Sequence, residues 1–310
     1  MSRFVNSRRP LVTLKNILRG KKRVRAPAPP ANVSTAPLLD QQIQAALVKG
    51  KHYEPQQLDA GCGQSVGKQR EHNEDSLFAF SITIGNETNS VPLGLYIVAD
   101  GMGGHQYGEV ASNAAVRSVA GNILRKFLPY IANQSEAMDE PLQELMRAAV
   151  DEAQHIVMQA APGGGTTLTA ALVLGTQVTV AHIGDSRAYI LRPDRRIEPL
   201  TRDHSLVRRL EELGQITAQE ASVHPQRNVL YRALGQGEML EPDILTTPFP
   251  QPGYILLCTD GLWGVLPEED IYQIIGESTN LQNACQNLVN AANTAGGPDN
   301  ISVVLVQLLG

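Results

Sequence analysis

The chain has 310 residues, 42% of them apolar and 5% aromatic, which suits one large or two small globular domains. Its 26 basic and 31 acidic residues leave a net charge of −5. Nine of the basic residues lie within 1–25, where there is no acid, so the remainder carries −14. An acidic body excludes nucleic acid as the main partner. No apolar run reaches membrane-spanning length, and the N-terminus lacks the apolar core of a signal peptide, so a cytoplasmic location is expected. Cys62, Cys258 and Cys285 show no CxxC spacing and read as reduced, buried thiols.

Residues 1–25 form a basic tail, with one or two amphipathic turns over 11–18. The plain expectation is a solvated leader. The functional one is a weak contact with an anionic membrane surface or an acidic partner, which would make the protein peripheral at the membrane. Residues 26–55 are a Pro/Ala linker (APAPPANVSTAP) with a short helix over 40–51, and the folded domain is expected over 56–310. Strands are predicted over 58–68 and 77–84, then a polar hairpin loop over 85–92 and an apolar strand over 95–99. Helical spacing runs over 106–132 and 141–161. Strands return over 166–174, 177–182 and 187–191, and short helices fall over 205–213 and 218–221 in a polar stretch that extends to residue 237. Strands over 243–247 and 254–259, helices over 267–275 and 281–292, and a strand over 301–308 complete the chain. Runs of strands broken by helix pairs exclude a doubly wound parallel sheet and fit packed antiparallel sheets covered by helices.

Aspartates recur where apolar runs stop. Residues 95–99 end in Asp100-Gly101, 178–184 in Asp185 and 254–259 in Asp260-Gly261, while Asp299 stands just before 301–308. Asp75, beside Glu74, joins the set. Such acids are either scattered or share cations, because converging carboxylates repel and raise each other's pKa. Oxygen-only ligands suit magnesium, manganese or calcium. Two ions bridging a water would serve hydrolysis of a phosphate ester. Gly101 would let its carbonyl approach an ion, although a turn alone explains a glycine there. Arg70, five residues before Asp75, would grip phosphate through paired hydrogen bonds.

Other chemistries find less support. The GGGTT of 163–167 lacks the lysine of a phosphate-binding loop. Ser76 and Ser186 lack a nucleophile elbow, and no cysteine shares a loop with an arginine. His72, His105, His182 and His204 are candidate proton donors, with a structural role as the default for each.

The stretches REHNEDS (70–76), VADGMGGHQYGEVAS (98–112), GGTTLT (164–169), AHIGDSRAY (181–189), LTRDHS (200–205), LYRALG (230–235), LCTDGLWG (257–264) and GPDNISV (297–303) resemble, in order, the motifs of the metal-dependent protein phosphatase family, type 2C, in its bacterial form. The resemblance covers about 56–309. It implies an α+β fold, a four-layer α-β-β-α sandwich of two antiparallel sheets flanked by helix pairs. It also implies hydrolysis of phospho-Ser/Thr on proteins by a metal-activated water, with no phosphoenzyme, in opposition to a Ser/Thr kinase. By position, Asp75, Asp100, Gly101, Asp260 and Asp299 match the binuclear site for two Mn2+ or Mg2+ ions. Glu74 matches a residue that acts through water, Asp185 the aspartate of a third ion, and Arg70 the phosphate-binding arginine. Arg70, Asp100 and Asp260 are thus the catalytic candidates. Residues 205–237 fall where members carry a flap beside the site. Eukaryotic members place a proton-donating His after Asp-Gly. Met102 stands there instead, so the general acid is unassigned. The expected partners are phosphorylated proteins and the kinase, with the phosphatase a monomer. The rival readings are a catalytically silent binding module and another two-metal hydrolase such as a phosphodiesterase.

Overall fold

The computed structural model describes residues 55–85, 90–103, 106–132, 140–237 and 240–310. The basic tail, most of the linker with its expected helix, and His105 lie outside the described residues.

Two antiparallel sheets carry the fold. One runs in the order β1 (Gln57–Ser65), β11 (Ile301–Leu309), β10 (Tyr254–Cys258), β7 (Arg187–Leu191), β8 (Ile197–Pro199). The other runs β2 (Asp75–Gly85), β3 (Ser90–Met102), β5 (Leu168–Leu174), β6 (Gln177–Ile183), β9 (Asp243–Pro248), with the two-residue β4 (Gly165–Thr166) on the end of β3. Helices α1 (Gln106–Ile131) and α2 (Leu142–Ala160) cover the second sheet. Helices α6 (Glu268–Glu277) and α7 (Leu281–Thr294) cover the first. Two short helices, α3 (Leu206–Glu212) and α4 (Ala218–Ser222), lie in the flap, and one turn of helix, α5 (Asp260–Trp263), follows β10.

Strand periodicity explains the layers. Along β3, Leu93, Leu95, Ile97 and Ala99 join the core under α1 and α2, where Ala111, Ala115, Val119 and Ile123 meet them at helical spacing. The alternate residues Tyr96 and Val98 join a central core with Val173, Val180, Ile255, Leu257, Val304 and Val306. On β11, Val303 and Leu305 face the other way, toward Cys285, Leu288 and Val289 of α7. The four-layer α-β-β-α sandwich expected from the sequence is the one observed.

Some details differ. The loop expected over 85–92 is shorter, because the β2–β3 ladder runs to Gly85↔Ser90. β1 stops at Ser65 rather than at residue 68, because the chain turns at Gly67 (φ 84), where a Cβ would stand 2.2 Å from the Asp299 carbonyl oxygen. β8 and α5 were not anticipated. Both are too short to show a period. Cys258 and Cys285 are buried free thiols, whereas Cys62 is half-buried.

Candidate active site

β2 and β3 place Asp75 directly opposite Asp100 in the antiparallel register. Like charges so paired destabilise a sheet unless something neutralises them. Asp260, at the start of α5, and Asp299, just before β11, come to the same end of the sandwich from the other sheet. Asp100, Gly101, Asp185, Asp260 and Asp299 line one open cleft of about 540 Å³, with Arg70 and Glu74 on its wall. Asp75 is buried beneath it. The structure thus gathers all eight residues singled out from the sequence at one end of the molecule.

Backbone and hydroxyl groups fix the acids. Thr259 and Ser302 each donate to Asp75 Oδ2 at 2.8 Å, while Asp75 Oδ1 is buried without a hydrogen-bond partner. The Asp100 amide donates to Thr167 Oγ1 at 2.8 Å, and the Asp100 carbonyl accepts from the Thr166 hydroxyl and the Thr167 amide, both at 2.9 Å. Asn300 accepts from the Glu74 amide at 2.8 Å and donates to the carbonyls of Val66 and His72, which fixes the 66–74 loop against β11. Gly101 is pressed on the start of α1, where a Cβ would stand 2.1 Å from the Gly108 carbonyl oxygen. Arg70 donates to Asp299 at 2.7 Å from a half-exposed position.

The electrostatics follow from burial. Loss of hydration, and then the charges of Asp260 and Asp299, push the Asp75 carboxyl up to about 7, against the pull of its two hydroxyl donors. Burial and then Asp299 push Asp260 up to about 6, with a hydrogen bond from Asp100 opposing. Asp100 and Asp185 are raised well above the usual range, by burial first and Asp260 second. A set of carboxyls that cannot ionise together, two of them with buried, unpartnered oxygens (Asp75 Oδ1 and Asp260 Oδ1), calls for cations. The residues present fit hard divalent ions. Among the described residues no three acid, His or Cys side chains close around a single point as a finished cage. The acids are spread along the cleft instead, which suits ions that retain part of their water shell.

A second layer surrounds Asp185. Its carbonyl accepts from Trp263 Nε1 at 3.0 Å, and Arg187 stacks over the Trp263 ring at 3.6 Å. Arg187 also grips Asp203 through two hydrogen bonds, of 2.9 and 2.7 Å. Burial works against the Arg187 charge, and Asp203 more than offsets it. His204 is 1% exposed. Its Nδ1 accepts from the Gly184 amide at 3.1 Å, its own amide donates to the Gly184 carbonyl at 2.7 Å, and its carbonyl accepts from Tyr231 at 2.9 Å. His182 beneath it bonds through both ring nitrogens, and burial, then His204, push it down to about 3. These two histidines have the structural role expected by default. Arg187, Asp203, Trp263, Asn300 and Thr259 were not singled out by sequence reasoning. Each stands inside a motif stretch, but none has a residue type or spacing that signals chemistry.

The sequence profile of the family described as Protein phosphatase 2C matches residues 59–301. The chain belongs to the protein phosphatase 2C family. The serine/threonine phosphatase Stp of Listeria innocua is 37% identical over 242 residues, 78% of this chain and 92% of that one. The protein phosphatase PhpP of Streptococcus pneumoniae is 34% identical over 247 residues, 78% of this chain and 94% of that one. The crystal structure of the Mycobacterium tuberculosis serine/threonine phosphatase PstP aligns with a TM-score of 0.67 at 31% identity, covering 82% of this chain and all of that one. The PstP catalytic domain in complex with two manganese ions aligns with the same score at 30% identity and the same coverage. The family, the fold and the metal-dependent serine/threonine phosphatase class expected from the sequence are borne out. In this protein phosphatase 2C member, no helix among the described residues is long and apolar enough to cross a membrane.

Proposed function

We propose that this protein phosphatase 2C member removes phosphate from phosphoserine and phosphothreonine on proteins, in opposition to a Ser/Thr kinase. The observation that carries this reading is the gathering of Asp100, Asp260 and Asp299 beside Arg70 in one open cleft, over the buried Asp75, with buried unpartnered oxygens on Asp75 and Asp260.

Asp75, Asp100, Asp260, Asp299 and the Gly101 carbonyl would hold two divalent cations, manganese or magnesium, with Glu74 reaching them through water and Asp185 serving a third. Such ions lower the pKa of bound water and neutralise charge on a phosphoryl group undergoing in-line displacement. The chain's own residues do the rest. Arg70 turns from Asp299 to the substrate phosphate, where its planar fork orients the oxygens for attack. Asp100 and Asp260 orient the attacking water and take its proton. The Asp75 carboxylate is held in place by Thr259 and Ser302. Water attacks phosphorus as the bond to the seryl or threonyl oxygen breaks, and that oxygen takes up a proton from solvent in the open cleft, in exchange for the one given up by the attacking water. Met102 cannot supply that proton. His105 lies outside the described residues.

The chain acts as a cytoplasmic monomer in this reading, and its basic tail adds weak attachment to an anionic membrane surface or an acidic partner. Phosphate release from a phosphothreonine peptide, measured with manganese, with magnesium and with chelator, tests the central claim. Release only with metal, lost in Asp100→Asn, is expected. Release in chelator overturns it.

A further inference from the structure

The flap leaves a second recess behind the rim of the metal cleft. It holds about 500 Å³ and shares Asp185, Asn228, Asp260 and Asp299 with the first, so the two spaces adjoin. Its flap wall is Val207 of α3 with Ala218 and Ala221 of α4, and its core wall is Trp263, Val265 and Pro298. Most charged groups on its surface satisfy one another. Arg187 is paired with Asp203 at 2.7 Å, and Arg208 with Glu211 at 2.7 Å. Arg227 stands apart. Among the described residues no carboxylate pairs with it, and its guanidinium donates only to the Ser222 carbonyl at 3.5 Å.

We propose that this recess is a substrate subsite that takes an aliphatic side chain flanking the phosphorylated residue, with Arg227 meeting a carboxylate on the same segment. The proposal rests on the phosphoprotein reading above. A phosphoresidue seated beside Arg70 leaves its own chain to pass over Asn228 and Asp299. An extended chain advances about 3.5 Å per residue, so the recess is reached within a few positions. An aliphatic side chain there loses water against Val207, Ala221 and Val265. A lysine in the same place would shed hydration, would find the nearby carboxylates already committed, and would face Arg227.

The test is a series of phosphothreonine peptides in which each flanking position in turn carries Ala, Leu, Lys or Glu, assayed with manganese. One position is expected where Leu raises kcat/KM about ten-fold over Ala, the scale of a few methylenes in an apolar pocket, and Lys lowers it. The Leu-to-Ala ratio, measured within each variant, is expected to fall toward one in Ala221→Phe, which fills the recess, and in Val265→Glu, which charges it. Arg227→Gln is expected to lower the preference for Glu beside the Leu position while the Leu-to-Ala ratio stays. Equal rates for all four side chains at every position overturn the proposal, as does a wild-type ratio in both wall variants. No metal-dependent release from any peptide overturns the functional reading itself, whereas release without side-chain preference overturns the subsite alone.

Discussion

Asp75 and Asp100 face each other across a β-ladder, and the cost of that choice is measurable. The folded protein holds the Asp75 carboxyl at about 7 and Asp260 at about 6, above the ordinary value of 3.8. A folded state with raised carboxyl pKa values binds more protons than the unfolded chain, so its stability falls as pH rises. The metal-free protein is therefore expected to lose melting temperature between about pH 4 and about pH 7, and Asp75→Asn to flatten that slope. A wild-type slope retained in Asp75→Asn, followed by calorimetry in chelator, would show that Asp75 is not its source. Arg70→Ala is expected to raise KM for phosphopeptides about ten-fold or more, since charge-assisted bonds to phosphate are lost. An unchanged KM would confine Arg70 to its pair with Asp299. At this scale the acids were legible in the sequence, because a carboxylate at the end of an apolar run shows in the residue order. The groups that hold them were not. Thr259 and Ser302 are 43 positions apart, and only β10 beside β11 brings their hydroxyls to one carboxylate. Nothing in a lone threonine announces that.

At the scale of elements, the flap is strapped at both of its roots. The entry root, Asp203–Ser205, docks on the Gly184–Arg187 turn through His204 and the Arg187–Asp203 pair. At the exit root, Leu234 bridges to Thr166, which in turn donates to the Asp100 carbonyl. Gln154 of α2, 4% exposed, closes that root by accepting from the Gly235 amide at 2.7 Å and donating to the Gly237 carbonyl at 2.9 Å. Gln154→Ala leaves two backbone groups without partners and is expected to cost about 2 kcal/mol. It is also expected to speed hydrogen exchange over 230–237 more than in the sheets. Uniform exchange across the molecule would show the glutamine to be ordinary core. The sequence showed a polar stretch with two short helices here. It could not show the straps, because Gln154 sits among the buried apolar positions of α2, beside Val150 and Val157, and its partners lie 81 and 83 residues away.

Among the described residues of the whole molecule, three apolar cores are separated by two sheets. Leu257 of the central core is fully buried. Leu257→Ala is expected to cost about 3 kcal/mol in denaturant unfolding, through lost burial and the cavity left behind. A loss below about 1 kcal/mol would mean that the sheets close the gap. The order of strand runs and helix pairs made this architecture legible from sequence. The strand neighbours were not, since β1 and β11 lie at opposite ends of the folded domain.

That pairing has a consequence for handling the protein. Gln57 sits opposite Leu309, so both ends of the described fold leave from one edge, while Ser65 and Ile301 close the same ladder at the end nearer Asp299. Nine strand residues separate the two ends of that ladder, a distance of about 30 Å. A fluorescent partner or surface tether attached at residue 57 or 309 would stand that far back and leave the catalytic mouth open. With residues 1–56 removed, a short bridge from 309 to 57 would close the backbone into a ring that could be cut anew at an outer loop.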